Sequence, residues 1–451
     1  MSEKKIEAQA TNLELFPIAN KKIELSFTGE RISSDGGLLL LRETDLQTSV
    51  TKRLAGCITD NRDPRYISHT VQEMLAQRVF QIAAGYEDCN DCGPLRSDTV
   101  FKLCAGKLPQ SGGDLASQPT MCRLENSAGS RDLYRAGTEI LDIFIDSYTT
   151  EPGLIILDCD DTDTTTYGQQ ELALFNGYYN DYCYMPLHIY EGLSGKLVAT
   201  VLKPGRRNKQ ADAAKLLKKI VARLRAAWPQ ALIVVRGDSH FASRDFMDWA
   251  GRATRVSYIT GLTGNAVLRR LSSVTIESAE REFKQYGRPV KRYHSFMYKA
   301  GSWTQEERVV VKVEATAMGT NIRYIVSDMQ DVRAKDLYEK GYCARGAMEL
   351  RIKEHKLYLK SDRASCNSFA ANQFRLFLHS AAYILMHTVQ KEYLKGTEFE
   401  NATFKTIQNK IIKTAAWVRE LKTRIKIEFP SVCPTRGILT DSFEMFLQLR
   451  T

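Results

Sequence analysis

The chain has 451 residues, more than one compact core accommodates, so two to four domains are expected. Hydrophobic residues make up 43% and charged residues 26%, a globular composition that excludes an intrinsically disordered chain. Lys and Arg number 63 against 53 Asp and Glu, and this net charge of +10 favours a polyanionic partner, with nucleic acid ahead of a membrane surface.

The start, "MSEKKIEAQATNLELF", has no apolar core behind its charges and does not read as a signal peptide. No apolar run reaches the roughly 18 residues that a membrane-spanning helix needs. Ten cysteines scattered from Cys57 to Cys433 suggest free thiols in a reducing compartment, hence a cytoplasmic protein without membrane contact. Cys89 and Cys92 form one C-x2-C, but a structural zinc site needs a second ligand pair and none is near in sequence. Between residues 64 and 104, "ISHTVQEMLAQRVFQIAAGY" and "SDTVFKLCAG" predict two helices from their apolar spacing. The loop "GKLPQSGGDLASQP" leads to a short helix that Ser117 can cap. Short helices around a turn in a basic protein suit a helix-turn-helix DNA reader or an ordinary helical bundle.

After residue 150 the pattern becomes α/β. "GLIILDCD" is a buried strand ending in carboxylates, and "YMPLHIYEG" and "KLVATVLKPG" form a hairpin about "LSG". The helix "NKQADAAKLLKKIVARLRAAW", the strand "ALIVVRGDSH", the helix "SRDFMDWAGRA" and the strand "VSYITGLTG" follow. Residues 265 to about 335 alternate apolar and polar positions and predict a mostly β insertion. Beyond it come the charged stretch "GYCARGAMELRIKEHK", a long helix "SFAANQFRLFLHSAAYILMHTVQKEYL", a basic helix "TFKTIQNKIIKTAAWVRELK" and a strand "RIKIEF". The expected division is 1–149 (helical, DNA-binding), 150–264 and 336–392 (the two parts of one core), 265–335 (the insertion) and 393–451.

Acids gather at strand ends. Asp158, Asp160, Asp161 and Asp163 close one buried strand and Asp238 closes another. Carboxylates converging from adjacent strand ends repel unless a cation separates them, and Mg²⁺, or Mn²⁺ in its place, is the natural occupant. Asp161 and Asp163 serve equally as turn formers or caps. Three strands, a helix and a fourth strand match an RNase H-like fold, in which a third acid comes from a late helix. In the charged stretch Tyr342, Arg345, Glu349 and Lys356 are spaced by three, four and seven residues, which puts them on one face of an α-helix and makes Glu349 the candidate. Arg351, Lys353 and Glu354 would form the solvated face.

These features resemble the DDE transposases of bacterial insertion sequences, in the branch with a Tyr-x2-Arg-x3-Glu-x6-Lys signature and a GQQE-type block, here "DTTTYGQQELALFNGYYNDYCYMPLHIYEG". The resemblance covers roughly residues 30 to 435. It implies an RNase H-like catalytic core interrupted by a β insertion, and Mg²⁺-dependent cleavage of double-stranded DNA at terminal inverted repeats. Joining to target DNA then follows, in a homodimer or larger synaptic complex at the bacterial nucleoid. A nuclease that cuts without joining and an inactive DNA-binding protein are the alternatives. The metal ligands implied are Asp160, Asp238 and Glu349, with Asp158 competing for the first place.

Arg345 and Lys356 would hold phosphate oxygens, and Tyr342 would donate to one. The family often cleaves through a DNA hairpin with a flipped base on an aromatic ring; Trp303 is either that platform or a residue packed within the insertion. Arg206 and Arg207, with Lys203 and Lys209, suit the DNA backbone on a loop entering a helix. His240 is placed either beside a phosphate or in a structural hydrogen bond.

Overall fold

An eight-stranded mixed sheet organises the molecule. In the computed structural model, which describes residues 13–205 and 211–448, its strands are β1 (Leu154–Asp161), β2 (Leu187–Glu191), β3 (Leu197–Val201), β4 (Leu232–Gly237), β5 (Val256–Leu262), β6 (Val290–Tyr298), β7 (Glu307–Thr316) and β8 (Gly319–Ser327). They lie side by side as β6-β7-β8-β5-β4-β1-β2-β3. β1, β4 and β5 are parallel, whereas β2, β3 and the β6–β8 meander run antiparallel to their neighbours. The apolar run of β1 suits this central place, because a strand covered on both faces has no polar side to show.

The helix α3 (Ala211–Ala227) links β3 to β4 and buries Ala214, Leu217, Ile220, Val221 and Leu224 at steps of three, three, one and three residues. Helices α1 (Val71–Ala83), α2 (Gln118–Glu125) and α5 (Phe369–Thr388) pack into a separate apolar core that also takes in residues from 38 to 58 and from 404 to 446. Its interior holds one ionic cluster. Glu125 on α2 accepts from Arg78 Nε of α1 at 2.8 Å and from an Arg375 Nη of α5 at 2.7 Å, and all three side chains are buried.

Several elements add to or differ from the sequence reading. The insertion begins with two helices, Ala266–Leu271 and Ser273–Tyr286, because Leu268, Ile276 and Ala279 recur at helical spacing and pack on the meander. Its strands also prolong the central sheet, β8 pairing with β5. The basic helix stops early, since Ala416–Glu420 is a strand paired with Ile425–Glu428 and with Ile32–Ser33; Ala416 and Val418 alternate inward.

The charged stretch is not one α-helix. Leu337–Tyr342 and Glu354–Tyr358 are wound as π-helix, Cys343–Gly346 as 3₁₀-helix, and only α4 (Ala347–Lys353) is regular. One cause lies at Gly341, whose carbonyl accepts an Arg236 Nη at 2.7 Å. A side-chain donor inserted there competes with the helix's own hydrogen-bond ladder. Of the expected solvated face, Lys353 is exposed but Glu354 turns inward and accepts the Phe404 backbone N–H at 2.8 Å.

Candidate active site

Asp158 and Arg236 face each other in the parallel register of β1 and β4. Both Asp158 oxygens are taken by that guanidinium, Oδ1 by Nε at 2.6 Å and Oδ2 by Nη2 at 2.7 Å, and the pair is almost fully buried. A Cβ at Gly192 would fall 2.6 Å from Arg236 Nη2 and 2.8 Å from Asp158 Oδ2, so a residue without one closes over the pair. Two residues further along each strand stand Asp160 and Asp238. Side chains at i and i+2 share a sheet face and neighbouring strands run about 4.8 Å apart, so this second pair of residues also sits side by side, now at the sheet's open end.

Their environments differ. Burial pushes the Asp160 carboxyl up to about 6; Arg345, bonded to its Oδ2 at 2.8 Å, pulls the other way, and the Asp238 and Asp161 charges add to the rise. Burial also acts to raise Asp238, but the His240 ring and backbone N–H, both hydrogen-bonded to its carboxylate, prevail with help from Arg345 and hold it below the ordinary range. One acid is thereby poised near neutrality while its neighbour stays ionised, the division that acid sites use to separate roles.

The late segment reaches this end through its signature residues. Tyr342 and Arg345 are three apart across the 3₁₀ turn, where side chains at i and i+3 eclipse. The Tyr342 hydroxyl fills the space above Gly261, where a Cβ would lie 2.8 Å from it and 3.0 Å from the Ser239 backbone nitrogen. Arg345 keeps Nε buried without a hydrogen-bond partner while its Nη2 holds Asp160. Lys356 donates to Asp163 at 2.8 Å and to Thr162 at 3.4 Å, and Lys203 to Asp161 at 2.6 Å. Asp161 and Asp163 are thus anchors for lysines. Glu349 is brought to no partner: it is exposed, and among the described residues it makes no hydrogen bond or ion pair. Correspondingly, no group of three His, Cys, Asp or Glu is placed to share a metal ion among the described residues.

The donor chemistry nevertheless suits one. Asp160 and Asp238 offer hard oxygen ligands, and the repulsion that helps lift Asp160 is what a divalent cation relieves.

A family model described as "Transposase DDE domain group 1" matches residues 16–451. The chain belongs to that family. No curated protein matches the sequence. Among solved structures it is similar to that described as "Cryo-EM structure of piggyBac transposase synaptic complex with hairpin DNA (SNHP)", at 12% identity over 93% of this chain and 82% of that one, with a TM-score of 0.40.

In this transposase the remaining candidates separate as follows. Trp303 is 8% exposed and packs edge-on against Tyr298 in the core beneath the meander, the surroundings expected of the packing alternative. Arg206 and Arg207 lie outside the described residues. The Cys92 thiol donates to Gln81 Oε1 at 3.1 Å and the Cys89 thiol to the Gln118 carbonyl at 3.7 Å. Sequence reading missed Arg236. An arginine inside an otherwise apolar strand requires a buried counter-charge, and that signal was present in "IVVRGD".

Proposed function

We propose that this transposase cuts DNA at the terminal inverted repeats of a bacterial insertion sequence and joins the freed 3′-hydroxyls to target DNA. The observation that carries the proposal is the meeting of Asp160, Asp238 and Arg345 at the ends of two parallel strands, with Tyr342 and Lys356 from the same late segment at that end. The order β3-β2-β1-β4-β5 supports an RNase H-like core, extended by the inserted meander.

In this reading Asp160, Asp238 and Glu349 would hold Mg²⁺, with Mn²⁺ a substitute. When bound, the ion activates the attacking oxygen and stabilises the leaving one. Asp158 is excluded from that set because Arg236 occupies both its oxygens, and its part is to fix the adjacent strand ends. Glu349 is four residues beyond Arg345, with its carboxylate uncommitted. Arg345 and Lys356 each hold an aspartate here and are the phosphate clamps of the DNA-bound form, where Tyr342 donates the third contact. The reaction runs in a homodimer or larger synaptic complex in the bacterial cytoplasm.

The test is to incubate the protein with Mg²⁺ and the DNA flanking its gene, comparing wild type with Glu349→Gln. Loss of a metal ligand should slow cleavage roughly a thousandfold or more, because the ion contributes several kcal/mol to the transition state. Equal cutting by the two proteins overturns the assignment of Glu349. Cleavage without joined products identifies a nuclease, and no cleavage by wild type identifies a DNA-binding protein that has lost its chemistry.

A further inference from the structure

β1 does not stop at the acids. It runs through Asp161, Thr162 and Asp163 into a small antiparallel sheet of Thr164–Thr165, Asp181–Tyr184 and Leu174–Asn176. This leaf carries an unusual surface. Tyr167 is 82% exposed, Tyr178 80%, Tyr182 55% and Phe175 50%, with Tyr179 beside them. Single exposed apolar residues need no explanation, but five aromatic rings within 16 residues form a patch of the kind that marks an interaction site. Phe175 and Tyr182 stand edge to face at 5.6 Å and Tyr178 and Tyr179 at 4.9 Å, so the rings form two packed pairs that stay substantially exposed.

The leaf is held rigidly by the block that the sequence displays most plainly. Gln170 donates from Nε2 to the carbonyls of Ala364 and Cys366, both at 2.6 Å, and accepts the Tyr167 backbone N–H at 3.1 Å. Glu171 donates its backbone N–H to the Asn367 carbonyl at 2.9 Å and accepts the Phe369 N–H on a carboxylate oxygen at 2.8 Å. The Tyr184 hydroxyl donates to the Glu171 carbonyl at 2.6 Å. These bonds fasten the leaf to the turn that follows Lys356 and leave a cleft of about 870 Å³ between them. Tyr167 and Gln169 line it with Lys356, Lys360 and Arg363, alongside four carboxylates of which Asp163 pairs with Lys356 and Glu87 with Arg363. That is room for a nucleotide and its neighbour.

We infer that the leaf is a stacking surface for unpaired bases of the DNA strand, and that the cleft receives the nucleotide next to the phosphate under attack. The inference rests on the DNA-cleaving reading above. Distance favours a DNA strand over other occupants. Asp160 and Thr164 are four residues apart, at most about 13 Å of extended chain, or about four base steps along one strand of a duplex. A phosphate at the acids therefore leaves bases within about four steps of it in reach of the leaf. Chemistry favours it as well, since tyrosine rings stack on any base and keep a wet hydroxyl. Lys360 adds a cation to the cleft that makes no ion pair among the described residues.

The experiment uses the full chain and two labelled probes: a duplex of about 20 base pairs, blunt or bearing a 3′ tail of about eight thymidines, long enough to cover a single-strand site. Binding is read by fluorescence anisotropy. Wild type should prefer the tailed probe. Tyr167→Ala with Tyr178→Ala should weaken tailed binding about 10–100-fold and leave blunt binding unchanged, whereas Tyr→Phe at both positions should stay within about threefold of wild type. An alanine variant that binds the tailed probe like wild type overturns the inference. So does one that becomes monomeric by light scattering while losing both probes equally, which would make the leaf an interface between copies. Asp238→Asn separates the two proposals. It should abolish cleavage and keep the preference for the tail; retained cleavage defeats the functional reading alone, and loss of tail preference only in the tyrosine variants upholds the stacking surface.

Discussion

Asp160 is the first metal ligand of the proposed reaction, and three charged neighbours act on its protonation together with burial. Burial raises it, Arg345 opposes, and the Asp238 and Asp161 charges add to the rise, leaving it at about 6. A carboxyl must be ionised to take a cation, so cleavage should rise with pH through that region, while Asp238, held low by His240, imposes no limit there. Arg345→Ala removes the positive charge that favours the ionised form and should shift the acid limb to higher pH. Arg345→Lys should leave it near the wild-type position but lower the rate, since a point charge replaces a forked one. The pH profile of cleavage in the two variants checks this; coincident acid limbs for wild type and the alanine variant mean that another group governs the rise.

Among the elements, strands were legible in the sequence and the late segment was not. β1 and β4 announce themselves as apolar runs closed by acids, and their parallel register puts Asp160 beside Asp238 without further information. The segment 337–358 follows no single period, because its winding depends on Arg236, 105 positions away from the Gly341 carbonyl it occupies. A constant 100° per residue cannot be carried across such a join, and Tyr342 and Arg345 stand at the strand ends while Glu349 makes no hydrogen bond or ion pair with them among the described residues. For Trp303 the sequence left packing and a base platform both open, because burial under the meander is a tertiary fact. The helices hold a comparable long-range contact in the Arg78–Glu125–Arg375 cluster, where burial works to raise the Glu125 carboxyl but the two guanidinium groups prevail and hold it low. Glu125→Gln leaves two buried cations uncompensated at the meeting of α1, α2 and α5, and should cost on the order of 3–5 kcal/mol. Urea denaturation measures it. A loss below about 1 kcal/mol would show that water or a rearranged side chain reaches the cluster.

Across the whole molecule, the central sheet and the helical core meet through buried histidines. The His188 ring on β2 stands 4.9 Å from that of His355; His355 Nδ1 bonds Ser361 at 2.7 Å, His379 Nδ1 bonds the Leu359 carbonyl at 2.7 Å, and His387 on α5 bonds the Ser194 carbonyl between β2 and β3 at 3.1 Å. Burial, reinforced by nearby cations or neighbouring imidazoles, pushes His188 and His387 down to about 3 and His355 and His379 well below their usual range. The unfolded chain binds protons at these rings near the ordinary histidine value of about 6.5, and the folded chain does not. Their contribution to stability is therefore complete above that pH and drains away as pH falls toward the folded values, at up to about 1.4 kcal/mol per ring and pH unit. Acids raised by burial, such as Asp45, Asp98 and Asp160, work in the opposite sense, from their raised folded values down to their unfolded range of about 4. Between about 4.5 and 6.5 the four histidines lower stability as pH falls, and the raised acids offset part of that loss. The molecule should lose its fold cooperatively there, and proton uptake should accompany unfolding. His188→Phe removes one of the four proton sinks where the ring already lies parallel to Tyr190 and Nδ1 has no partner. Its acid midpoint, followed by circular dichroism, should move to lower pH. An unchanged midpoint would transfer the acid sensitivity from the seam between the two cores to other groups.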